Sequence, residues 1–323
     1  MEMMTTMPPL MSRTPRLAMG PLLYYWPRQA TLDFYAELAE SPLDIVYLGE
    51  TVCSRRHELR QEDWLEVAAM LADAGKEVVL SSQSLIESES DLKALRRIIA
   101  DPRFRVEAND MSAVHLLTQA GRRDWIAGPT LNIFNPHTLG LMQEWGTRRW
   151  VVAPELAGSA IRTLQDALTQ PIETEVLAWG RLPLAHSARC FTARHHNLQK
   201  DTCEFRCLGL ADGLVLNTRE GQPFLTLNGV QTQSARVHNL LGDLAEVSAV
   251  AQVLRISPQG ENTSEVIALF DAVRQGRHTP AEAFARSAGM MVDQACNGFW
   301  HGRPGLELHT AGTPARTSAH LSH

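Results

Sequence analysis

EVVLSSQSLIESESDLKALRRIIADPRFRVEA, residues 77–108, is the stretch of the sequence that decides the fold. It begins with a short apolar run at Glu77–Leu80 and continues with a helical pattern at Asp91–Ala100, which Asp101-Pro102 ends. A second apolar run follows at Arg105–Ala108. A strand, a helix and a strand in this order predict a βαβ unit, whose two strands lie parallel in one sheet.

The same alternation extends in both directions along the chain. Further strands are predicted at Leu17–Tyr25, Asp44–Leu48, Trp125–Ala127, Trp150–Ala153, Glu173–Ala178 and Val253–Ile256. Further helices are predicted at Leu32–Glu40, Asp63–Ala74, Met111–Ala120, Pro136–Trp145, Ala160–Leu168 and Glu265–Arg274. About eight such units predict an α/β fold, a (β/α)8 TIM-barrel-like domain. An open doubly wound sheet is the alternative, and it is less favoured because no Gly-rich nucleotide loop follows the first strand.

The pattern also predicts the domain organisation. One barrel-like domain is expected over residues 16–308, with an insertion after the seventh strand at about 180–233. The insertion interrupts the alternation and contains a hairpin-like stretch at Phe224–Gly229. Residues 1–15 and 309–323 show no apolar period, so we expect a flexible leader and a flexible tail there.

Composition and charge exclude several classes of protein. Hydrophobic residues make up 44% of the 323 residues and charged residues 20%, which is enough apolar material for a packed core. The net charge of −6 argues against bulk electrostatic binding of nucleic acid or anionic lipid. No secretory signal and no apolar stretch of about 18 residues is present, so we expect a cytoplasmic protein without a membrane anchor.

Five cysteines carry the specific chemical signal of the sequence. An odd number of cysteines without an export signal does not indicate a disulfide framework. The zinc-protease motif H-E-x-x-H, the nucleophile elbow G-x-S-x-G and the phosphate-binding P-loop are all missing. Metal binding or thiol catalysis is therefore the chemistry that the cysteines indicate.

Three of these residues, Cys190, Cys203 and Cys207, lie within 18 residues of one another in a C-x12-C-x3-C pattern. On a helix, the spacing of Cys203 and Cys207 would place both thiolates on one face. Cys53 follows the predicted strand that ends at Leu48, and loops after barrel strands converge on one face. Four thiolates can hold zinc or a 4Fe-4S cluster. Structural zinc usually has two close cysteine pairs, and only the pair Cys203 and Cys207 is close here, which favours the 4Fe-4S cluster. Three cysteines within 18 residues also argue against the alternative that these thiols are only buried apolar groups.

Basic residues surround the cysteines in an otherwise acidic chain. Arg55 and Arg56 follow Cys53, and the other three cysteines have basic neighbours at Arg189, Arg194, Lys200 and Arg206. A cluster held by four thiolates carries a net negative charge that grows on reduction, so nearby cations would stabilise the reduced form.

At these residues the sequence resembles the collagenase-like peptidase family. The resemblance extends from about Leu17 to Leu308, and the cysteine motifs are its specific part. The motifs are Tyr47-Leu-Gly-Glu-Thr-Val-Cys-Ser-Arg55, Leu182-Pro-Leu-Ala-His-Ser-Ala-Arg-Cys-Phe-Thr-Ala-Arg194 and Lys200-Asp-Thr-Cys-Glu-Phe-Arg-Cys207.

The resemblance implies that Cys53, Cys190, Cys203 and Cys207 bind a 4Fe-4S cluster. It also implies dioxygen-independent hydroxylation of ubiquinone precursors, in a heterodimer with a homologous partner. A polyprenylated precursor is very apolar, so delivery by a lipid carrier protein or by the partner is expected. Cys296 lies in a motif that resembles the C-terminal end of the family but matches no ligand position, so we expect a packing thiol there.

Two further functions are compatible with this sequence. The chain could be a non-catalytic, metal-stabilised partner subunit, or it could hydroxylate RNA, as some relatives do, although the net charge of −6 disfavours RNA. The segment between Cys190 and Cys203 is short for the family, and no peptidase constellation is present. We therefore expect a hydroxylase subunit and not a protease, with its catalytic residues unassigned.

Overall fold

A closed barrel of eight parallel strands forms the centre of the protein, as the computed structural model of residues 14–310 shows. The barrel order is β1-β2-β3-β4-β5-β6-β7-β11, and β11 returns to pair with β1, so the predicted (β/α)8 barrel is confirmed. Twelve strands are present in these residues: β1 (Arg16–Met19), β2 (Ile45–Leu48), β3 (Glu77–Ser81), β4 (Arg105–Ala108), β5 (Trp125–Ala127), β6 (Thr147–Val151), β7 (Glu173–His186), β8 (Leu214–Asn217), β9 (Pro223–Asn228), β10 (Gln231–Asn239), β11 (Val253–Ile256) and β12 (Ala295–Cys296).

Helices follow the barrel strands and cover the outside of the barrel. Local capping defines several of them: Ser88 and Asp91 form a reciprocal capping box at the start of one helix, and Gly146 ends another with φ of 114°. The helices are α1 (Arg28–Ala39), α2 (Gln61–Asp73), α3 (Glu89–Ala100), α4 (Met111–Gln119), α5 (Pro136–Trp145), α6 (Gly158–Asp166), α7 (Phe191–His195), α8 (Leu244–Val247), α9 (Thr263–Arg274) and α10 (Pro280–Arg286).

Alternate residues of the strands face two different environments. One set packs outward against the helices and includes Leu17, Val46, Leu80 and Val106. The other set faces the barrel interior, where an apolar group of Ala18, Ile45, Tyr47, Val79, Ile126, Val151 and Val253 shares the space with charged side chains. Both faces of the sheet are therefore buried, as a parallel barrel requires.

An ion-pair network fills much of the barrel interior. Arg255 donates to Glu175 at 2.6 Å and to Glu107 at 2.8 Å, and its guanidinium lies 4.1 Å from the ring centroid of Tyr47. The Tyr47 hydroxyl donates to Glu175 at 2.5 Å and accepts from Arg149 at 3.0 Å. All five side chains are almost completely buried, so each charge depends on its partners.

The network continues to the amino-terminal end of the barrel. Arg149 donates to Glu173 at 2.7 Å and to Glu77 at 2.8 Å, and Arg16 and Arg105 also pair with Glu77. Burial alone would raise the pKa of Glu77, but the neighbouring arginines, Arg149 first among them, hold the pKa below its usual value. Glu77 therefore stays ionised, and four arginines balance four glutamates in the whole network.

Strands β1 and β7 differ most in length from their predictions, while β2, β3 and β6 differ from theirs by one to three residues at an end. The first strand ends at Met19 and not at Tyr25, because Gly20-Pro21 follows and proline has no N–H for the ladder. The seventh strand extends beyond Ala178 to His186, and its last part leaves the barrel to pair antiparallel with β10. The hairpin-like stretch at Phe224–Gly229 is confirmed, since β9 and β10 pair across a tight turn.

The terminal predictions fall mainly outside the described residues. The leader at 1–15 overlaps them only at residues 14 and 15, and the tail at 309–323 only at residues 309 and 310. Within residues 14–310, no helix has the length and apolar character needed to cross a membrane.

Replacing Arg255 with Met should destabilise the protein strongly. The substitution leaves Glu107 and Glu175 buried without this cation, and breaking a buried pair in this way costs about 3–5 kcal/mol. Urea unfolding followed by circular dichroism measures the change. The matched control is Arg96→Met, which removes an exposed pair with Glu89 and should cost less than about 1 kcal/mol. Equal effects of the two substitutions would contradict a structural role for the network.

Candidate metal centre

The four predicted cysteine ligands line one small cavity at the carboxyl-terminal end of the barrel. The cavity has about 340 Å³ of atom-free space, part of it open to solvent, and Cys53, Cys190, Cys203 and Cys207 all contribute to its wall. Cys53 comes from the loop after β2, and the other three come from the segment between β7 and β8. Loops that follow parallel strands converge on this face, which is why residues so distant in sequence come together.

A partly buried glutamate and a buried arginine shape the loop that carries Cys53. The Glu50 carboxylate accepts hydrogen bonds from the N–H groups of Val52 at 3.0 Å and Cys53 at 3.1 Å. Arg56 lies 3.5 Å from the same carboxylate and donates to the Leu23 carbonyl at 2.7 Å. These contacts fold the loop back on itself and fix the direction of Cys53.

The β9–β10 turn supports both cysteine-bearing segments. Arg56 donates to the Asn228 side chain at 2.7 Å, and the Gly229 carbonyl accepts from Phe191 N–H at 2.7 Å, directly after Cys190. Gly229 has φ of 63°, and a Cβ atom there would lie 2.9 Å from the Arg56 guanidinium. Any other residue at position 229 would therefore both strain the backbone and displace the Arg56 guanidinium.

Cys190 caps the amino terminus of the five-residue helix α7, where its sulfur accepts a hydrogen bond from the Ala193 N–H at 3.4 Å. It also packs against the buried group formed by Val52, Cys53 and Val230. The two cysteine-bearing segments are therefore in direct apolar contact.

Cys203 and Cys207 do not lie on one helix, the geometry in which their spacing would place both thiolates on one face. Two short 3-10 turns, Lys200–Thr202 and Arg206–Gly209, flank a break. Glu204 and Phe205 in the break have φ of 53° and 51°, a left-handed conformation that two successive non-glycine residues rarely adopt. This left-handed backbone is incompatible with an α-helix. The thiols of Cys203 and Cys207 nevertheless line the same cavity. Such strain persists only where the surrounding structure imposes it.

Burial disfavours the thiolate forms of two cavity residues, Cys53 and Cys207. It raises the pKa of Cys53 to about 11, and it raises the pKa of Cys207 against the opposing effect of Arg56. A bound metal would compensate for this burial, because metal charge stabilises thiolates and displaces their protons.

The expected basic surroundings are partly neutralised by acidic partners. Arg55 pairs with Asp201 at 3.1 Å, and Arg206 pairs with Glu204 at 2.7 Å. Lys200 pairs with Glu87. Arg56 is the cation that lies buried against the thiols, and it interacts with both Cys53 and Cys207. Arg56 is therefore the most buried basic side chain at the cavity, while Arg55, Lys200 and Arg206 line its wall in ion pairs.

The four thiols share a cavity wall without forming a close group of metal ligands. In the part of the chain that the structure describes, no three His, Cys, Asp or Glu side chains gather closely enough to hold one metal ion. In a 4Fe-4S cluster each thiolate binds a different iron, so the four sulfurs stand around a larger centre. Four thiols on the wall of one cavity suit that arrangement.

Comparison with known proteins assigns the chain to a family. The model of peptidase family U32 matches residues 31–209, which is more than half of the chain. The chain therefore belongs to peptidase family U32. Among solved structures, that of the U32 peptidase Mk0906 is similar, with 12% sequence identity and a TM-score of 0.44; the match covers 77% of this chain and 95% of that chain.

Sequence reasoning missed three residues that build the site: Glu50, Asn228 and Gly229. Glu50 lies in a loop and Asn228 ends β9, and only their contacts across the fold show that they hold the cysteine segments. The Asn228-Gly229 pair was visible as a turn signal, because Asn-Gly favours tight hairpin turns. Its role beside Arg56 depends on long-range packing that the sequence does not display.

The thiols of the metal-free protein should differ in reactivity. Cys296 is completely buried, and burial raises its pKa to about 12, whereas Cys190 and Cys203 are partly exposed. A maleimide should therefore label Cys296 more than about tenfold more slowly than Cys190 or Cys203, because the accessible thiolate is the reactive form. Mass spectrometry of peptides from the labelled native protein measures the order. Rapid labelling of Cys296 would contradict the packing described here.

Proposed function

We propose that this chain is the 4Fe-4S subunit of a dioxygen-independent hydroxylase that acts on ubiquinone precursors. The observation that carries the proposal is that the four cysteines of the family-like motifs line one cavity on the carboxyl-terminal face of the barrel. The motifs resemble those of UbiV, the anaerobic ubiquinone-biosynthesis protein, and the proposed partner is therefore a UbiU-like protein in a heterodimer. Membership of peptidase family U32 supports the coarser part of this proposal.

Cys53, Cys190, Cys203 and Cys207 would hold the cluster, which supplies one-electron transfer when bound. With four thiolate ligands, the cluster would supply electron transfer and would not bind substrate. Arg56 lies buried between Glu50 and the thiols, and its charge favours the anionic state of the sulfurs. Val52 and Val230 pack against Cys53 and exclude water from one side of the site.

The substrate of this proposed reaction is a polyprenylated ring. Such a molecule is poorly soluble in water, so a lipid carrier protein or the UbiU-like partner would deliver it to the complex. The chain's negative charge makes RNA the less favoured substrate.

Alanine substitution of each proposed ligand should remove the cluster. Protein prepared without oxygen should contain about four iron and four sulfide per chain and should absorb visible light. Cys53→Ala, Cys190→Ala, Cys203→Ala and Cys207→Ala should each lose the iron and the absorption, because three thiolates leave one iron exposed. Ubiquinone formation during anaerobic growth should fail with these four variants.

Cys296→Ala is the matched control, since Cys296 is a buried thiol in β12 outside the cavity. It should retain iron, absorption and ubiquinone formation. A colourless variant at Cys296 together with a coloured Cys53→Ala protein would show that the ligand set is wrong. A colourless wild-type protein with one zinc per chain would instead favour the non-catalytic, metal-stabilised subunit.

The proposed partner should change the behaviour of the chain in solution. Co-expression with the UbiU-like protein should increase the soluble yield and give a single heterodimer on size-exclusion chromatography. The chain expressed with an unrelated soluble protein provides the control. Independent elution of the two proteins at micromolar concentration, with iron intact in both, would count against the heterodimer.

A further inference from the structure

A cavity separates helices α2 and α3 on the outside of the barrel, and we name it the α2–α3 cavity. It has about 940 Å³ of atom-free space, part of it open to solvent, which is within the usual size range of small-molecule sites. The neighbouring helices α1 and α2 pack on each other, and so do α3 and α4. The α2–α3 cavity therefore lies where two helices of the outer layer leave room between them.

Most of the lining of the α2–α3 cavity is apolar. It comes from α2, from α3 and from the outward-facing side of β2 and β3, and it includes Trp64, Leu65, Leu95, Ile98, Leu48 and Leu80. An apolar chain suits this lining, because each methylene group that enters it leaves water. The helical part of the cavity therefore favours a ligand with a chain and not a compact polar molecule.

Polar groups without partners lie where the loops after β2 and β3 line the α2–α3 cavity. The side-chain oxygen of Gln83 is buried and has no hydrogen-bond partner among residues 14–310, and the same is true of the Arg56 Nε–H. All hydrogen bonds to the Glu50 carboxylate in these residues go to Oε1, so Oε2 is free to accept. Buried polar atoms without partners are costly, and a ligand that supplies the partners removes this cost.

A hydroxyl group suits this end of the cavity, because it donates one hydrogen bond and accepts others. Arg56 already lies 3.5 Å from the Glu50 carboxylate, so neither charge requires an ion from the ligand. We propose that the α2–α3 cavity binds a phenol with an apolar chain, whose hydroxyl donates to the Gln83 side-chain oxygen and whose chain lies between the two helices. In naming this class of ligand the inference rests on the proposed function, whose polyprenylated substrate belongs to the class when its ring carries a hydroxyl.

The α2–α3 cavity adjoins the cavity of the four cysteines. Arg56 lines both cavities. Glu50, which also lines the α2–α3 cavity, uses Oε1 to hold the N–H groups of Val52 and Cys53. A phenol ring at Gln83 would therefore lie beside the loop that carries Cys53. Binding of the phenol requires no iron, so it can be tested separately from the metal centre.

Calorimetry with para-hexylphenol as the probe tests the proposal. The methyl ether para-hexylanisole has the same ring and chain without the donor, and phenol has the donor without the chain. The probe should bind once per chain, about tenfold more tightly than para-hexylanisole, because the ether leaves the Gln83 oxygen without a donor. It should bind at least about 100-fold more tightly than phenol, because its chain leaves water. The full chain is measured both with and without iron.

Gln83→Leu should weaken the binding of para-hexylphenol by about tenfold and should leave the binding of para-hexylanisole unchanged or tighter. The matched control is Gln119→Leu, because Gln119 is an exposed residue of α4 that does not line the cavity. That variant should bind both compounds like the wild type. Without ligand, the Gln83→Leu protein should unfold at the same temperature as the wild type or higher, since it loses a buried acceptor that has no donor.

Leu65→Trp provides a second variant, because it fills the space between the helices and keeps Gln83. It should weaken the binding of para-hexylphenol at least about 100-fold, whereas Leu116→Trp, at a half-buried leucine of α4 outside the cavity, should not. Absence of binding at millimolar concentration, equal binding of the phenol and its methyl ether, or binding that survives Leu65→Trp would overturn the proposal. Binding by a chain that never acquires iron would support the α2–α3 cavity while refuting the proposed function, and a chain with iron that binds no phenol would overturn this inference alone.

Discussion

The contact between Arg255 and Glu175 inside the barrel is the interaction on which the rest of the structure depends. It joins β11 to β7 across the last seam of the sheet, where the barrel closes. Glu107 and Tyr47 extend the contact to β4 and β2, so one guanidinium connects strands on opposite sides of the barrel. Buried pairs of this kind add little net stability, but an incorrect register would leave their charges unpaired. The network thus favours one closed arrangement over its alternatives.

Strand β7 carries this arrangement from the interior to the cavity of the four cysteines. Glu175 belongs to the ion network, and Arg181 lies where the strand leaves the barrel. Beyond that point the strand pairs with β10, whose turn at Gly229 contacts the start of α7 next to Cys190. A rigid strand is a better support for a site than a loop, because its hydrogen-bond ladder fixes successive side chains.

Apolar alternation was sufficient to predict the barrel, because strands buried on both faces and amphipathic helices leave different periods in the sequence. Strands β4, β5 and β11 match their predicted limits, and the grouping of Cys53 with the later cysteines follows from the convergence of barrel loops. The left-handed backbone at Glu204 and Phe205 has no comparable local signal, so the four-residue spacing of Cys203 and Cys207 did not indicate the actual local structure. The pairing of Arg255 and the lack of a hydrogen-bond partner at the Gln83 side-chain oxygen both depend on contacts between distant residues. Hydropathy and spacing describe neighbours along the chain, and they contain no information about which charges meet.

The order of the strands along the chain has a consequence for biosynthesis. Strand β1 is made first and β11 is the last of the eight barrel strands, yet the two are neighbours in the closed sheet. All four cysteines of the cavity precede β11, so a ribosome releases every thiol before the strand that closes the barrel has been made. During that interval β1 and β7 each present an unpaired edge, which is a surface for incorrect pairing. Nascent forms of this chain therefore combine free thiols with open strand edges until β11 has been made.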